Sequence, residues 1–560
     1  MYSTQVIGFY VAIVVGCCAA NGLCQDQANS SSGDEISVQF RSELQRVAGI
    51  CDRIGLTREA AITRNWFVEQ YAGRQFVFLP RGSDSNILPY KPNADVKNWY
   101  GAFRKVRNAY ADKLYEQAKE ALDEHKPTLA FQMLHAVLRE NQDHAAARKA
   151  LAYIVSSLPR TAIVKTMKFA HDRFGWLPRK HWRIETEYFQ ISTNHSPKEA
   201  GELGRRLEQL HIAWRQLFFS HWSDEDALAH WIENGAPKRL KRGRFQVVLF
   251  RDRAEYQAAM ARFHPGSGET EGMYLDKMRQ VWLYAADDVV ARETALHEVT
   301  HQLFHETVEP AREVGDSDNF WIIEGIAMYM QSMAAREDFA TIGGFDARRL
   351  QYARYWYKNK RFYLPLADLV SLGREPLQKH EDIQRLYTQS AGLTHFLMTH
   401  DGGRYRDAVI DYLRLVYAGA QELDSLEKLA EVDFAVLDQQ YESSLAVTDD
   451  HLLKRLNPPE FVTMLMLGGT SVTDKGLDGL ADYTHLTMLD VSATRVTDDG
   501  LASLVKLKNL EDLWLTQSLV TDRGLEHLRG LKKLVRLEVE ATKITPQGMA
   551  TLKRSLPKLE

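Results

Sequence analysis

The spacing of apolar positions changes character several times along the chain. Val6 to Gly16 is an almost unbroken apolar stretch, followed by Cys17-Cys18-Ala19-Ala20 and a polar segment from Gln25 to Glu35. It is short for a spanning helix and suits the apolar core of a secretory signal. From about 36 to 80 a helical pattern ends in a strand-like run, Phe76-Val77-Phe78-Leu79, and a Gly-, Ser- and Pro-containing loop follows. Helical spacing then governs Trp99 to about Ser157, carried by Ala118, Ala121, Leu122, Ala130, Leu134, Leu138, Ala147 and Leu151, with a break at Asn141-Gln142-Asp143. Strands are predicted at Tyr188–Thr193, Phe245–Phe250, Gly272–Leu275 and Gln280–Tyr284, with a long helix from Glu199 to Phe219 between the first two. From 290 to 450 the pattern reads as helices and loops only.

Past Pro458-Pro459 a period of 24 takes over. Val472-Thr473-Asp474, Val496-Thr497-Asp498, Val520-Thr521-Asp522 and Ile544-Thr545-Pro546 stand in register, as do Leu465, Leu489, Leu513 and Leu537. Gly476, Gly500, Gly524 and Gly548 keep the same phase. The pattern resembles the leucine-rich repeat family: strand, turn and helix in each unit, stacked into an arc that presents contact surfaces. Thr470, Thr494, Ser518 and Thr542 stand where such repeats usually carry an asparagine, and their hydroxyls are expected to serve the turn backbone. The concave face is expected to present Asp490, Asp512 and Glu538, and the first repeat to dock on the block before it.

Composition narrows the class. A chain of 560 residues implies several domains, and 45% apolar with 26% charged residues is ordinary for globular proteins. A net charge of −4 argues against general nucleic-acid binding. Cys17, Cys18 and Cys24 lie in or beside the leader, so Cys51 is left without a partner and no disulfide framework is expected. No basic flank precedes the leader, so a retained N-terminal anchor is the alternative; Val14-Val15-Gly16-Cys17 also resembles a bacterial lipobox, with lipidation at Cys17. Membrane attachment is expected only through that lipid or anchor. The asparagines at 29 and 194 stand in glycosylation-type sequons to which a bacterial leader gives no role.

The chemistry centres on His297-Glu298-Val299-Thr300-His301, an H-E-x-x-H segment. Four residues of helix bring both imidazoles to one face, where their nitrogens reach one ion, and Glu298 can turn toward the water the ion activates. A second apolar helix, Trp321-Ile322-Ile323-Glu324-Gly325-Ile326-Ala327-Met328-Tyr329, offers Glu324 as third ligand, a carboxylate too costly to bury unpaired. Gly325 and Ala327 are expected to let the two helices approach. A metzincin arrangement is excluded, because its glycine and third histidine would fall at Phe304 and Thr307. His305, Glu306 and Glu309 lie closer in sequence, but one helix does not bend back on itself, so they read as solvated or supporting.

H-E-x-x-H followed by W-x-x-E-G-x-A-x-Y resembles the gluzincin metallopeptidases, whose clan includes thermolysin, the aminopeptidase N family and peptidase-MA-like domains. The resemblance covers about 185–450. It implies one Zn2+ per chain on His297, His301 and Glu324, with Glu298 as general base. Tyr387, at the start of an apolar helix, is similar in place to the tyrosine that stabilises the oxyanion in aminopeptidase-N-like members. The aminopeptidase segment G-x-M-E-N is not matched: Gly272-Met273-Tyr274-Leu275 lacks its glutamate, which favours internal cleavage of an extended peptide paired to the strand edge. Thermolysin-like members orient a ligand histidine with an acid one turn past the glutamate; Met328 stands there, so that partner is unidentified.

The expected architecture is multidomain. It comprises a leader over 1–24, a helical region over 36–180 resembling one tetratricopeptide-type hairpin, an α+β gluzincin-like block over 185–450, and an α/β leucine-rich-repeat arc over 460–560. The expected function is a secreted, periplasmic or outer-envelope zinc peptidase acting on a peptide or protein, with the repeats as a surface for substrate or a protein partner. The alternatives are a catalytically inactive peptidase-like scaffold, and a metal-dependent hydrolase of a non-peptide amide.

Overall fold

The structure, a computed structural model, describes residues 32–80, 87–89, 91–152, 162–237, 243–265, 270–286 and 288–560. The expected leader over 1–24, with Cys17, lies outside them. The described residues fall into two compact units, divided between Phe67 and Val68. In the first, α1 (Ser32–Arg53) and α2 (Thr57–Arg64) are joined through Gly55, whose φ of 79° turns the chain. Phe40, Leu44, Val47, Ala48 and Cys51 form the buried stripe of α1, the spacing of one helical face.

The second unit is a mixed α/β body. Helices α3 (Ala94–Asp123), α4 (Pro127–Glu140) and α5 (Ala145–Ala150) follow one another, and the chain leaves helix at Asn141, where the sequence breaks. Asn93 caps α3 by accepting from the Val96 amide at 2.8 Å. The buried Arg107 of α3 donates to the Arg139 carbonyl of α4 at 3.0 Å and faces Glu140 at 3.4 Å.

A six-stranded sheet follows, built from β2 (Ile163–Thr166), β3 (Trp182–Glu185), β4 (Phe189–Thr193), β5 (Phe245–Phe250), β6 (Gly272–Leu275) and β7 (Gln280–Tyr284). β1 is a separate strand, Arg74–Phe78. The sheet order is β2-β3-β4-β5-β7-β6, with β4, β5 and β7 parallel and β6 an antiparallel edge. The sheet thus begins at Ile163, upstream of the boundary expected near 185. Side chains alternate across it: Val247, Leu249, Val281 and Leu283 join the main core, while Val248, Phe250 and Trp282 pack with Trp176, Tyr256 and Met260 on the other face. Helices α6 (Pro197–Leu217), α7 (Val289–Thr307), α8 (Phe320–Met330), α9 (Arg348–Lys360) and α10 (Ile383–Thr399) supply most of the rest of what positions the site.

Strands do not vanish after residue 290 as the pattern predicts. β8 (Ala334–Ala335) and β9 (Phe339–Gly343) form an antiparallel sheet with β1 in the order β1-β9-β8, pairing Phe76 with Thr341. The partner strand is remote in sequence, so nothing local in Phe339–Gly343 reveals the pairing.

The C-terminal strands β10 (Met464–Met466), β11 (Met488–Asp490), β12 (Asp512–Trp514) and β13 (Arg536–Glu538) are parallel and in register, Leu465 beside Leu489, Leu513 and Leu537. These leucines and those of the intervening helices make a separate core. A second ladder joins successive units. Asp449 accepts from the amide and hydroxyl of Thr473, Asp474 from those of Thr497, Asp498 from those of Thr521, and Asp522 from those of Thr545, all between 2.6 and 2.8 Å. The hydroxyls of Thr470, Thr494 and Thr542 donate to carbonyls three residues back, while the Ser518 hydroxyl is buried without a partner among the described residues. The expected open face needs one correction: Asp490 is buried, held by the Ser492 amide at 2.8 Å, and burial raises its pKa.

The first strand of this block is closed by the preceding one. The side-chain amide of Gln351 on α9 donates to the Met464 carbonyl at 3.2 Å and accepts from the Met466 amide at 2.6 Å, and Arg354 donates to the Met466 carbonyl at 3.0 Å. The buried ion pair of Arg74 and Asp346 ties β1 to the turn that precedes α9, and Asp346 also accepts from the Asn457 amide at 2.9 Å.

Candidate metal centre

Helix α7 starts at Asp288, whose carboxylate accepts from the Ala291 amide at 2.7 Å. Ala295, Leu296, Val299, Leu303 and Phe304 are buried, which turns the opposite face, with His297 and His301, toward α8. Every residue of α8 from Phe320 to Met330 is buried, so the helix is pinned along its length and Glu324 with it.

Three side chains meet there. His297 Nε2 lies 3.1 Å from His301 Nε2 and 3.3 Å from Glu324 Oε2, and His301 Nε2 lies 3.7 Å from Glu324 Oε1. Among the described residues this trio is the group of histidine, cysteine and acidic side chains able to share an ion, with ligand atoms all within 4.8 Å of one another. Ligand bonds of about 2.0–2.1 Å in a tetrahedron place ligand atoms roughly 3.3 Å apart. The observed spacings, measured to the two different oxygens of Glu324, bracket that edge, and two imidazole nitrogens with one carboxylate are a donor set known for zinc sites that keep one position open. The trio could hold a metal ion.

The electrostatics of the bare site follow from burial opposed by neighbouring charge. Burial alone would raise the Glu324 pKa, but His301 and His297 pull it down to about 2. Burial depresses His301 to about 4. His297 is desolvated as well, yet its hydrogen bond to Glu324 and the charge of Glu298 leave its pKa raised. Burial raises Glu298, and Glu324 adds to the shift, the direction a general base working near neutral pH requires.

Glu298 is anchored from the sheet. Its Oε2 accepts from the Tyr274 amide on the edge strand β6 at 2.7 Å. Gly272 makes the approach of strand and helix feasible: a Cβ there would lie 2.7 Å from Thr294 Cγ2 and 3.3 Å from Glu298 Cγ. Tyr387, the fifth residue of α10, is half-buried. Burial raises its pKa, and the charges of Glu324 and Glu298 raise it further, so the phenol keeps its proton beside both acids. Tyr417 also feels Glu324, but it is buried and stacked on Phe304 at 5.6 Å between ring centroids.

The expected supporting groups fall differently. His305 Nδ1 meets the Tyr274 hydroxyl at 3.1 Å, and Glu306 binds Arg279 at 3.1 Å and Gln302 at 2.8 Å, so both serve the edge strand. Gly325 does not bring α8 onto α7. A Cβ there would overlap Thr394 Oγ1 and come within 2.8 Å of the Ser390 carbonyl, so its smallness serves the contact with α10.

The orienting partner of His297 is Gln331, which sequence reasoning missed. His297 Nδ1 lies 3.2 Å from Gln331 Oε1, Gln331 Nε2 lies 3.4 Å from Glu293 Oε2, and Arg348 Nε holds that oxygen at 2.8 Å. A carbonyl oxygen opposite Nδ1 fixes the tautomer whose Nε2 lone pair faces Glu324 and His301. Gln331 sits seven residues past Glu324, two turns on the same face, and Glu293 one turn before His297; that spacing was the available signal.

A scan against protein-family models finds no match, and a search of curated proteins returns no similar protein. The residues and their geometry therefore carry the functional reading.

Proposed function

We propose that the chain is a zinc-dependent peptidase that hydrolyses peptide bonds with His297, His301 and Glu324 holding the ion and Glu298 as general base. The observation that supports it is the convergence of two imidazole nitrogens and the two oxygens of one carboxylate, from two helices, at 3.1 to 3.7 Å. A bound zinc ion would polarise the scissile carbonyl and lower the pKa of a water toward about 7. Glu298, held toward the edge strand by the Tyr274 amide, takes the proton of the attacking water and returns it to the leaving amine. Tyr387 donates to the oxyanion as charge develops, a role suited to a phenol held protonated. Gln331 keeps the His297 lone pair aimed at the ion. The leader reads as export to the periplasm or outer envelope, and the repeats as a binding surface for substrate or a protein partner.

The test is metal analysis of the purified chain by emission spectroscopy, paired with wild type and Glu298→Gln on peptide libraries. One zinc per chain with turnover lost in the variant supports the reading. A wild-type chain without zinc after metal loading ends it. A zinc-loaded wild type that cleaves nothing moves the assignment to the scaffold alternative.

A further inference from the structure

The hairpin that joins β2 to β3 holds two of the three most exposed large apolar side chains among the described residues, Phe169 at 82% and Leu177 at 67%. The backbone there is closed by hydrogen bonds. The Met167 amide donates to the His181 carbonyl at 3.1 Å and the Arg179 amide to the Met167 carbonyl at 2.8 Å; farther out, the His171 amide donates to the Trp176 carbonyl at 2.9 Å. These bonds stand on either side of Phe169 and Leu177 and set both on one stretch of the hairpin. The inner side is anchored in the sheet. Trp176 is buried and donates to Glu255 at 2.8 Å, and the Phe174 ring packs edge-on against Phe250 and Trp282 at 5.0 and 5.2 Å between centroids. Trp176 and Phe174 thus occupy the core behind the hairpin, which leaves Phe169 and Leu177 to solvent. Single exposed apolar residues are ordinary, but a pinned pair inside a cationic collar asks for a partner.

The collar is marked by charge. Between Ile163 and Ile184 stand six cations and one acid, Asp172, in a chain whose net charge is −4. Lys165 is engaged by Glu185 at 2.7 Å and Arg173 by Gln280 at 2.9 Å. Lys168, Arg179 and Lys180 flank the two apolar residues in sequence, are exposed, and form no ion pair among the described residues. Unpaired cations fit an anionic surface, and apolar side chains standing clear of the fold fit an apolar layer just behind it. A bilayer of acidic lipids offers both, headgroup charge over acyl chains. Nucleic acid has no such layer beneath its phosphates, and two apolar side chains are far less than the roughly 800 Å² that a stable protein partner covers.

We propose that the hairpin between β2 and β3 is a membrane-contact site, with Phe169 and Leu177 seated at the acyl boundary of an anionic bilayer and Lys168, Arg179 and Lys180 on its headgroups. The contact is independent of the peptidase reading and of any lipid or anchor at the N-terminus.

The test follows the hairpin itself. Hydrogen–deuterium exchange of the full chain is read by mass spectrometry during titration with vesicles of phosphatidylcholine, alone or with about one-third phosphatidylglycerol. Residues 1–24 carry no charged side chain, so a leader that also inserts does so equally in both lipids. Three cations worth about fivefold each should give half-protection of 167–181 at about a hundredfold less acidic than neutral lipid, and about 0.5 M salt should abolish the difference. Lys168→Gln/Arg179→Gln/Lys180→Gln should bring the two lipids within about fivefold of each other. Phe169→Ser/Leu177→Ser, which keeps the charges, should raise the acidic lipid required by about tenfold or more. Equal protection on both lipids, no protection of 167–181 on either, or a preference that survives the loss of the three cations overturns the proposal. Protection of 163–166 that grows with protein concentration in the absence of lipid assigns the exposed edge of β2 to a second copy of the chain, and overturns it as well.

Discussion

Gln331 offers the sharpest test of the metal centre, because its contribution can be separated from that of the ligands. Gln331→Met keeps the length and burial of a side chain that is 5% exposed and removes the oxygen opposite His297 Nδ1. Glu293 keeps its stronger partner, since Arg348 Nε holds it at 2.8 Å against 3.4 Å for Gln331 Nε2. The principal loss is therefore one hydrogen bond and the tautomer it sets. Leaving a buried N–H unpaired costs about 1–3 kcal/mol, a factor of about 5 to 150. The 3.2 Å separation is at the long end for such a bond and favours the lower half of that range. Zinc affinity should fall about ten- to thirtyfold in competition with a fluorescent chelator at neutral pH, with the metal-free melting temperature nearly unchanged. An affinity within about twofold of wild type would show that Gln331 does not set the His297 tautomer. A fall in affinity matched by a lower metal-free melting temperature would assign the effect to packing of α8.

Four further outcomes are expected. Glu298→Gln should bind zinc as tightly as wild type while peptide hydrolysis drops about a hundred- to ten-thousandfold, read as zinc content against turnover. Gly325→Ala should destabilise the second unit by about 2–3 kcal/mol in urea denaturation, because the Ser390 carbonyl 2.8 Å from the new Cβ belongs to helix backbone and cannot swing away. Asp498→Ala should cost about 3 kcal/mol in the same measurement, since its buried carboxylate accepts from the Thr521 amide, the Thr521 hydroxyl and the Gly524 amide at 2.7 to 3.0 Å. Acid should destabilise the fold through buried histidines: burial lowers His135 and His395 from 6.5 to about 3, and His221 to about 4. Their stabilisation is complete above 6.5 and is lost as pH falls toward 3; near pH 5 these three sites add about three protons to the unfolded chain and roughly 4 kcal/mol per pH unit to the slope, of which His395→Phe should remove about a third.

Local rules made some of this architecture legible and hid the rest. The strands at Phe189–Thr193, Phe245–Phe250, Gly272–Leu275 and Gln280–Tyr284 announce themselves through short β-branched and aromatic runs. β2 carries no such mark: Ile163 and Val164 are exposed, so hydropathy has no burial to report. β9 is held by β1, a pairing across most of the unit that no local pattern encodes. In the repeats the period of 24 gave the strand register but not the turns. Gly469 has φ 71°, and the same phase holds Ala493, Gln517 and Ala541 at φ 51°, 59° and 53°, residues that do not advertise a left-handed turn. The Asp–Thr ladder was visible as a repeated V-T-D but not as a contact between units, because each bond spans 23 or 24 residues.

At the candidate metal centre the division between what was and was not legible follows from geometry. Ligand types and their i, i+4 spacing are properties of one helix, so His297 and His301 can be found from sequence alone, and Glu324 from a second helix too apolar to hide a carboxylate without a partner. The groups that tune the site come from wherever the fold brings a polar tip within about 3 Å, and several arrangements satisfy one sequence. One turn past Glu324, where thermolysin-like members carry an acid, stands Met328; two turns past it, on the same face, Gln331 Oε1 meets His297 Nδ1 at 3.2 Å. Arg348 and Arg349 make the point most strongly. Adjacent and identical in type, they are indistinguishable by composition, motif or charge count. Helical geometry turns neighbours about 100° apart, so one reaches Glu293 and is neutralised while the other retains an unpaired Nε.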